Sequence, residues 1–310
     1  MITDIKGLHH VTSMAGDARQ NNDFFTNTLG MRRVKKTVNF DAPDVYHLYY
    51  GDETGTPGSV ITYFPFPGMP RGARGAGEVG VTEFAVPKGS LPYWKERLSS
   101  HGVTGLHETS LFGEARLQFD GPDADAFALV EAEPREREAW TGNGVGNAEG
   151  ILGFHGARFA LRDAAATGEL LSYMGYQKAE STGNITRYVI EGGNAADTID
   201  LEEVPTAPLA RQGGGSVHHI AFAVEDRAAQ LRVRELLLAT GYNVTPVIDR
   251  DYFWAIYFRT PGGVLFEVAT NEPGFDRDED TARLGEALKL PTQHEHLRAK
   301  IEATLPEIAA

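Results

Sequence analysis

Histidine occurs in adjacent pairs at two places in this chain, and one glutamate interrupts an apolar run. The first pair stands in Leu8-His9-His10-Val11-Thr12 and the second in Val217-His218-His219-Ile220-Ala221-Phe222. An aspartate follows the second histidine of each pair by seven residues, Asp17 after His10 and Asp226 after His219. The glutamate is Glu267, inside Val264-Leu265-Phe266-Glu267-Val268-Ala269. A carboxylate there is costly to bury unless it is paired, hydrogen-bonded or bound to a metal. Two neutral imidazoles and one carboxylate form an N,N,O set that suits non-haem Fe(II) and leaves positions open for substrate and dioxygen. We take His10, His219 and Glu267 as that set. A strand alternates its faces, so one member of each pair points inward while the other turns away or sits beside it. Taken singly, each histidine reads as a hydrogen-bonded structural residue, and Glu267 as a sheet-edge or salt-bridged carboxylate. The repetition of the pair favours the metal.

His155, in Phe154-His155, competes with His10 for a ligand position. The next aspartate, Asp163, follows it by eight residues, which sets His155 level with His9 and His218. One residue reverses the face of a strand, although a bulge restores it. A further comparison concerns the carboxylate. Thr260-Pro261-Gly262 precedes the Glu267 strand and Thr56-Pro57-Gly58 precedes a similar one; the seven-residue offset from Thr260 to Glu267, applied to Thr56, reaches Tyr63. A second carboxylate is therefore not expected.

These residues sit in a fourfold repeat. Each copy offers a short alternating strand, a helical stretch stopped by glycine, and further strands rich in Val, Ile, Phe and Tyr. The helices are expected over 19–29, 91–101, 165–174 and 228–239, stopped by Gly30, Gly102, Gly175 and Gly241. Each copy reads βαβββ, which makes the class α+β. Residues 132–150, with the charge cluster Glu133 to Glu138 and the run Gly142-Asn143-Gly144, read as a linker. We expect domains at 1–140 and 150–272, each of two modules, and a tail over 273–310. The tail carries an acidic loop, Asp276 to Asp280, and an amphipathic helix over 294–305, and reads as an appendage.

Composition removes several functions. A net charge of -14 with no basic stripe argues against nucleic acid or an anionic membrane surface as partner. The absence of cysteine excludes disulfides, thiolate ligands and a cysteine nucleophile. No run approaches the roughly 18 to 20 apolar residues of a membrane span. No apolar leader follows a basic start. We expect a cytoplasmic protein. Exposed sheet edges make a homo-oligomer plausible.

The fourfold βαβββ pattern, with His-His-Val-Thr, His-His-Ile-Ala and Thr-Pro-Gly-Gly-Val-Leu-Phe-Glu, resembles the vicinal oxygen chelate superfamily. Within it, the chain is similar to ring-cleaving dioxygenases that act on hydroquinones in aromatic degradation and quinone detoxification. Tyr46-His47-Leu48-Tyr49 and Pro87-Lys88-Gly89-Ser90-Leu91 belong to the resemblance, which spans nearly the whole chain. It implies paired modules curling around a metal, with Fe(II) on His10, His219 and Glu267, and O2 and a small aromatic diol as reactants. It also implies functional roles for His9, Thr12, His218, Arg250 and Tyr257. His9 and His218 would move the substrate proton, Arg250 would stabilise an oxyanion, and Tyr257 would donate a hydrogen bond to it. In the related catechol-cleaving branch the third module supplies the first histidine, a slot filled here by His155. Redox-neutral glyoxalase-type enzymes and metal-free binding proteins share the scaffold, and Mn(II) and Zn(II) are alternative metals.

Overall fold

The structure, a computed structural model, describes residues 1–133 and 137–309. Residues 134–136, within the charge cluster of the expected linker, lie outside the described residues. The four copies fold as four modules of one plan. The first comprises β1 (Leu8–Ala15), α1 (Ala18–Asp23), β2 (Arg32–Val38), β3 (Tyr46–Gly51) and β4 (Val60–Pro65). The second comprises β5 (Glu78–Pro87), α2 (Leu91–Ser100), β6 (His107–Leu111), β7 (Glu114–Asp120) and β8 (Ala126–Ala132). The third runs through β9 (Phe154–Leu161), α3 (Ala165–Tyr173), β10 (Gln177–Thr182), β11 (Ile185–Val189) and β12 (Thr198–Glu203). The fourth has β13 (Val217–Val224), α4 (Arg227–Ala239), β14 (Ile248–Asp249), β15 (Phe253–Arg259) and β16 (Leu265–Pro273).

The repeated aspartates have a local cause. Asp17 and Asp226 are N-caps, accepting from Gln20 N and Ala229 N at 2.8 Å and satisfying amides that the first helical turn leaves unpaired. The four expected stop glycines all have positive φ, between 69° and 98°, where a side chain would be strained. The first helix is shorter than expected, because residues 24–28 widen into a π-turn. In α4 the buried positions Ala229, Gln230, Val233 and Leu237 recur at helical spacing and pack the helix onto the sheet.

The modules do not pair in chain order. Two curled sheets of eight strands form, one from the first and fourth modules and one from the second and third. β1 meets β13 antiparallel at the centre of the first sheet, and β5 meets β9 in the same way in the second. The helix-facing sides share a core that includes Phe25, Trp94, Leu171 and Val233. On its other, inner side, the first sheet carries a separate cluster with Tyr49, Ala221, Phe253 and Ala269. The tail is not an appendage. Its α5 (Arg298–Thr304) and a preceding 3-10 stretch, Thr292–Leu297, replace the expected single helix. Leu290 and Ile301 pack on Val38, while Asp278 and Glu279 pair with Lys35, whose side chain is fully buried.

Candidate metal centre and cavity

Register shifts in the central strand pairs change the parity argument. β1 pairs Leu8 with Phe222 and His10 with Ala221, leaving His9 as an extra residue; the next shift, between Thr12 and Ser13, leaves His218 extra. A bulge sets consecutive side chains toward one side. Both members of each pair therefore sit on the inner face, ring against ring, with Nδ1 atoms 2.9 Å apart for His9 and His10 and 2.8 Å for His218 and His219.

The far nitrogens of His10 and His219 converge on Glu267. His219 Nε2 lies 2.9 Å from Glu267 Oε2 and His10 Nε2 lies 3.3 Å from it. One ligand atom from each of the three residues falls within 4.8 Å of the others, and all three residues are buried. Among the described residues neither oxygen of Glu267 has a well-aligned hydrogen-bond donor, although the residue is 0% exposed. A buried carboxylate without donors is costly, and a divalent cation among the three groups removes that cost. The residues present fit a metal. Burial works against ionisation of Glu267, but His10 and His219 hold its carboxyl well below the usual range. Burial lowers His219, which favours the neutral, ligating imidazole despite the opposing pull of Glu267.

The hydrogen bonds set the tautomers. His9 Nε2–H donates to the Thr270 carbonyl at 3.1 Å, so its Nδ1 is a bare acceptor for His10 Nδ1–H. His10 must then present the Nε2 lone pair to Glu267's side, the orienting role that outer partners play at metal sites. His218 Nδ1 meets His219 Nδ1 as His9 meets His10, and a ligating His219 Nε2 requires that His218 accept there and carry its own proton on Nε2. The two supports differ in their free ends. His9 is sealed behind the triad, whereas His218 reaches a cavity of about 510 Å³ that also touches the three ligand candidates. Burial, aided by the neighbouring imidazole, pulls His9 down to about 3 and His218 to about 4, so both are neutral near pH 7.

Arg250 and Tyr257 line the same cavity, with Arg250 Nε donating to Tyr257 OH at 3.3 Å. Tyr257 stands beside Glu267 across the β15–β16 ladder, and burial followed by the Glu267 charge raises its pKa. Thr12 is fully buried beneath the site, where Thr62 Oγ1 donates to its Oγ1 at 3.1 Å. The sequence reading gave no role to His47, which lines the cavity. Its Nε2 meets Thr62 Oγ1 at 2.7 Å and its Nδ1 meets Tyr49 OH at 2.9 Å. Burial first, and then the charges of His10, His219 and Arg250, keep it well below its ordinary value. The alternation of His47 and Tyr49 in the quoted Tyr46-His47-Leu48-Tyr49 motif was the available signal.

Two expectations change. Tyr63 does not occupy the second carboxylate slot: it faces the helix-side core, lies with its ring 5.0 Å from that of Phe25 and donates to Asp125 at 2.6 Å. Ala221 pairs with Glu267 on β16, and Thr12, the β1 equivalent of Ala221, pairs with Thr62 on β4. Thr62 fills the slot because the turn in the first module is one residue shorter than that in the fourth. His155 also sits at a bulge, as its caution allowed, but in the second sheet, 3.3 Å from Glu114. It does not join Glu267.

The same register shows why the second sheet has no matching triad among the described residues. The positions equivalent to His10 and His219 are Gly156 and Val81. A Cβ at Gly156 would collide with the Thr198 carbonyl. The two carboxylate slots hold Ala128 and Asp200, and Asp200 is clamped by Arg187 through bonds of 2.8 and 2.9 Å. Arg116 pairs with Glu83 and Glu114 beside them, so charge pairs fill the space.

Residues 7–124 and 127–268 each match the profile of the Glyoxalase/Bleomycin resistance protein/Dioxygenase superfamily. The chain belongs to this superfamily. Among curated relatives of this superfamily chain, MhqO of Bacillus subtilis (strain 168), named provisionally as a ring-cleaving dioxygenase, is 42% identical over 300 residues, covering 96% of this chain and 95% of the relative. The chlorohydroquinone/hydroquinone 1,2-dioxygenase of Sphingobium indicum is 34% identical over 309 residues, covering 97% and 96%. A crystal structure from Bacillus subtilis, described provisionally as a dioxygenase, superposes with a TM-score of 0.95 at 41% identity, covering 99% of this chain and 98% of that one. Glyoxalase I from Zea mays superposes at 0.64 with 13% identity, covering 86% and 92%, a likeness of fold alone.

Proposed function

We propose that this chain is an Fe(II)-dependent dioxygenase that opens the ring of hydroquinone-type aromatic diols with O2. The observation that carries the reading is the convergence of His10 Nε2, His219 Nε2 and a buried Glu267 carboxylate with no well-aligned donor among the described residues, at the edge of a cavity suited to a small aromatic molecule. Relatives named for this chemistry over almost the whole chain support it. His10, His219 and Glu267 would hold the metal, which supplies electron transfer between an aromatic diolate and dioxygen while leaving coordination positions open. Three ligand residues, with Thr62 in the remaining slot, suit that open site better than a full four-residue set.

The chain's own residues prepare the substrate. Tyr257 and Arg250 face the cavity together, a phenol O–H and a guanidinium able to bind a diolate oxygen and the charge that builds there. His218, neutral and with Nε2–H toward the cavity, is placed to donate a hydrogen bond to a diol oxygen. His9 and Thr12 act as positioning groups behind the ligands. We further propose that 1–140 and 150–272 are duplicated two-module units, with 273–310 closing over the first sheet. The metal-free binding reading leaves the orphaned Glu267 carboxylate without a role. To test the activity, protein reconstituted anaerobically with Fe(II) is offered hydroquinone, catechol and the glutathione adduct of methylglyoxal in separate oxygen-electrode runs. Uptake with hydroquinone is expected; no uptake with either diol contradicts the proposal.

A further inference from the structure

Most of the cavity wall stands on strands, whose ladders fix it. Two aromatics in that wall, Phe40 and Phe66, do not. Phe40 belongs to the turn after β2, where Asn39 N donates to Val45 O and Asp41 N to Asn39 Oδ1, both at 2.8 Å. The Phe40 ring lies 5.3 Å from the Arg250 guanidinium carbon, and the Tyr257 ring lies 5.5 Å from it. Arg250 thus lies over two aromatic rings, within 3.7 Å of the exposed Asp41 carboxylate. The backbone of Phe40 points the other way, into the tail: its carbonyl accepts from Gln293 Nε2 at 3.0 Å and meets His294 Nε2 at 2.7 Å. That stretch of tail is itself pinned to β2 by the Lys289 amide on the Lys36 carbonyl and by the packing of Leu290 and Ile301 on Val38.

We propose that Phe40 is a specificity-determining residue of this site, and that Gln293 and His294 hold it against Arg250 from the tail. The inference rests on the proposed diol-binding role of the cavity and names the wall that decides which ring substituents enter. With Phe40 in place, the ring of a bound diol is confined opposite the metal-binding face, and Arg250 is kept against Tyr257 OH. Without the ring, Arg250 loses one aromatic face and can turn toward Asp41, while the freed space admits a larger substituent.

The test compares wild type, Phe40→Ala, Phe40→Tyr and the double variant Gln293→Ala/His294→Ala, all full-length and loaded with Fe(II). Each is assayed with hydroquinone and with 2-tert-butylhydroquinone, and anaerobic calorimetry gives the Kd of both diols. Phe40→Ala should weaken hydroquinone about fivefold in KM and Kd, with kcat changed less, because the lost contact is one cation–π face. The preference for the bulky diol, as a ratio of kcat/KM values, should rise about tenfold. Phe40→Tyr should restore the wild-type ratio, and the tail double variant should shift it the same way as Phe40→Ala with unchanged iron content. An unchanged ratio in Phe40→Ala overturns the proposal, and an unchanged ratio in the tail variant alone overturns the tail's part in it. If Phe40→Ala does not fold, Phe40→Leu takes its place, and an unchanged ratio there overturns the proposal in the same way. If wild type cleaves neither diol, the functional reading fails, and the calorimetric ratio alone judges Phe40.

Discussion

Replacing His9 by Phe should weaken metal binding without removing a ligand. The ring is buried, packs at a tilt 5.3 Å from the Phe253 ring, and links the Thr270 carbonyl to His10 Nδ1. Phenylalanine keeps the shape but offers no acceptor. His10 Nδ1–H is then stranded in the interior, a loss of about 1–3 kcal/mol, and His10 can move its proton to Nε2, the nitrogen needed by the metal. Loss of an orienting partner lowers metal affinity about 10- to 100-fold, which corresponds to about 1.4–2.8 kcal/mol and agrees with that range. His9→Gln should recover part of it, since its amide can accept from His10 and donate to Thr270. Competition with a chelator under anaerobic conditions at pH 7.5 measures the affinities. Near-equal affinities of His9→Phe and wild type would refute the relay from Thr270 through His9 to His10.

His155→Ala should retain one equivalent of iron and His10→Ala should lose it, because His10 faces Glu267 and His155 faces Glu114; metal analysis of both variants decides. Asp125 is buried and accepts from Tyr63 OH, and burial raises its pKa to about 6. Because the folded value lies above the ordinary 3.8, the favourable contribution is present below about pH 4 and is lost as pH rises through 6, by up to about 3 kcal/mol. Asp125→Asn should therefore gain stability relative to wild type between pH 4 and 7 in urea titrations, and a pH-independent difference would contradict this. Glu83→Ala strands part of the fully buried Arg116 charge and should cost about 3–5 kcal/mol in urea unfolding while leaving iron affinity unchanged.

The ligand candidates were legible because their types and positions were unusual: paired histidines at matching offsets and a glutamate in an apolar run. The offset itself had another meaning, since Asp17 and Asp226 recur as helix N-caps rather than as part of the chemistry. Alternation failed at His9, His218 and His155 because a bulge depends on the register of the partner strand, which no single strand displays. Tyr63 was misplaced for a related reason: a turn shorter by one residue moves the slot to Thr62 and turns Tyr63 to the opposite face. The pairing of the first module with the fourth lies beyond local pattern, as does the use of the acidic loop. Asp278 and Glu279 look like solvated surface until Lys35 is found buried beneath them.

The central claim is that His10, His219 and Glu267 bind one metal ion. Anomalous diffraction at the iron edge, from crystals grown anaerobically with Fe(II), tests it most directly. The account predicts one peak within bonding distance of His10 Nε2, His219 Nε2 and a Glu267 oxygen together. A peak at His155, or none near Glu267, would contradict it.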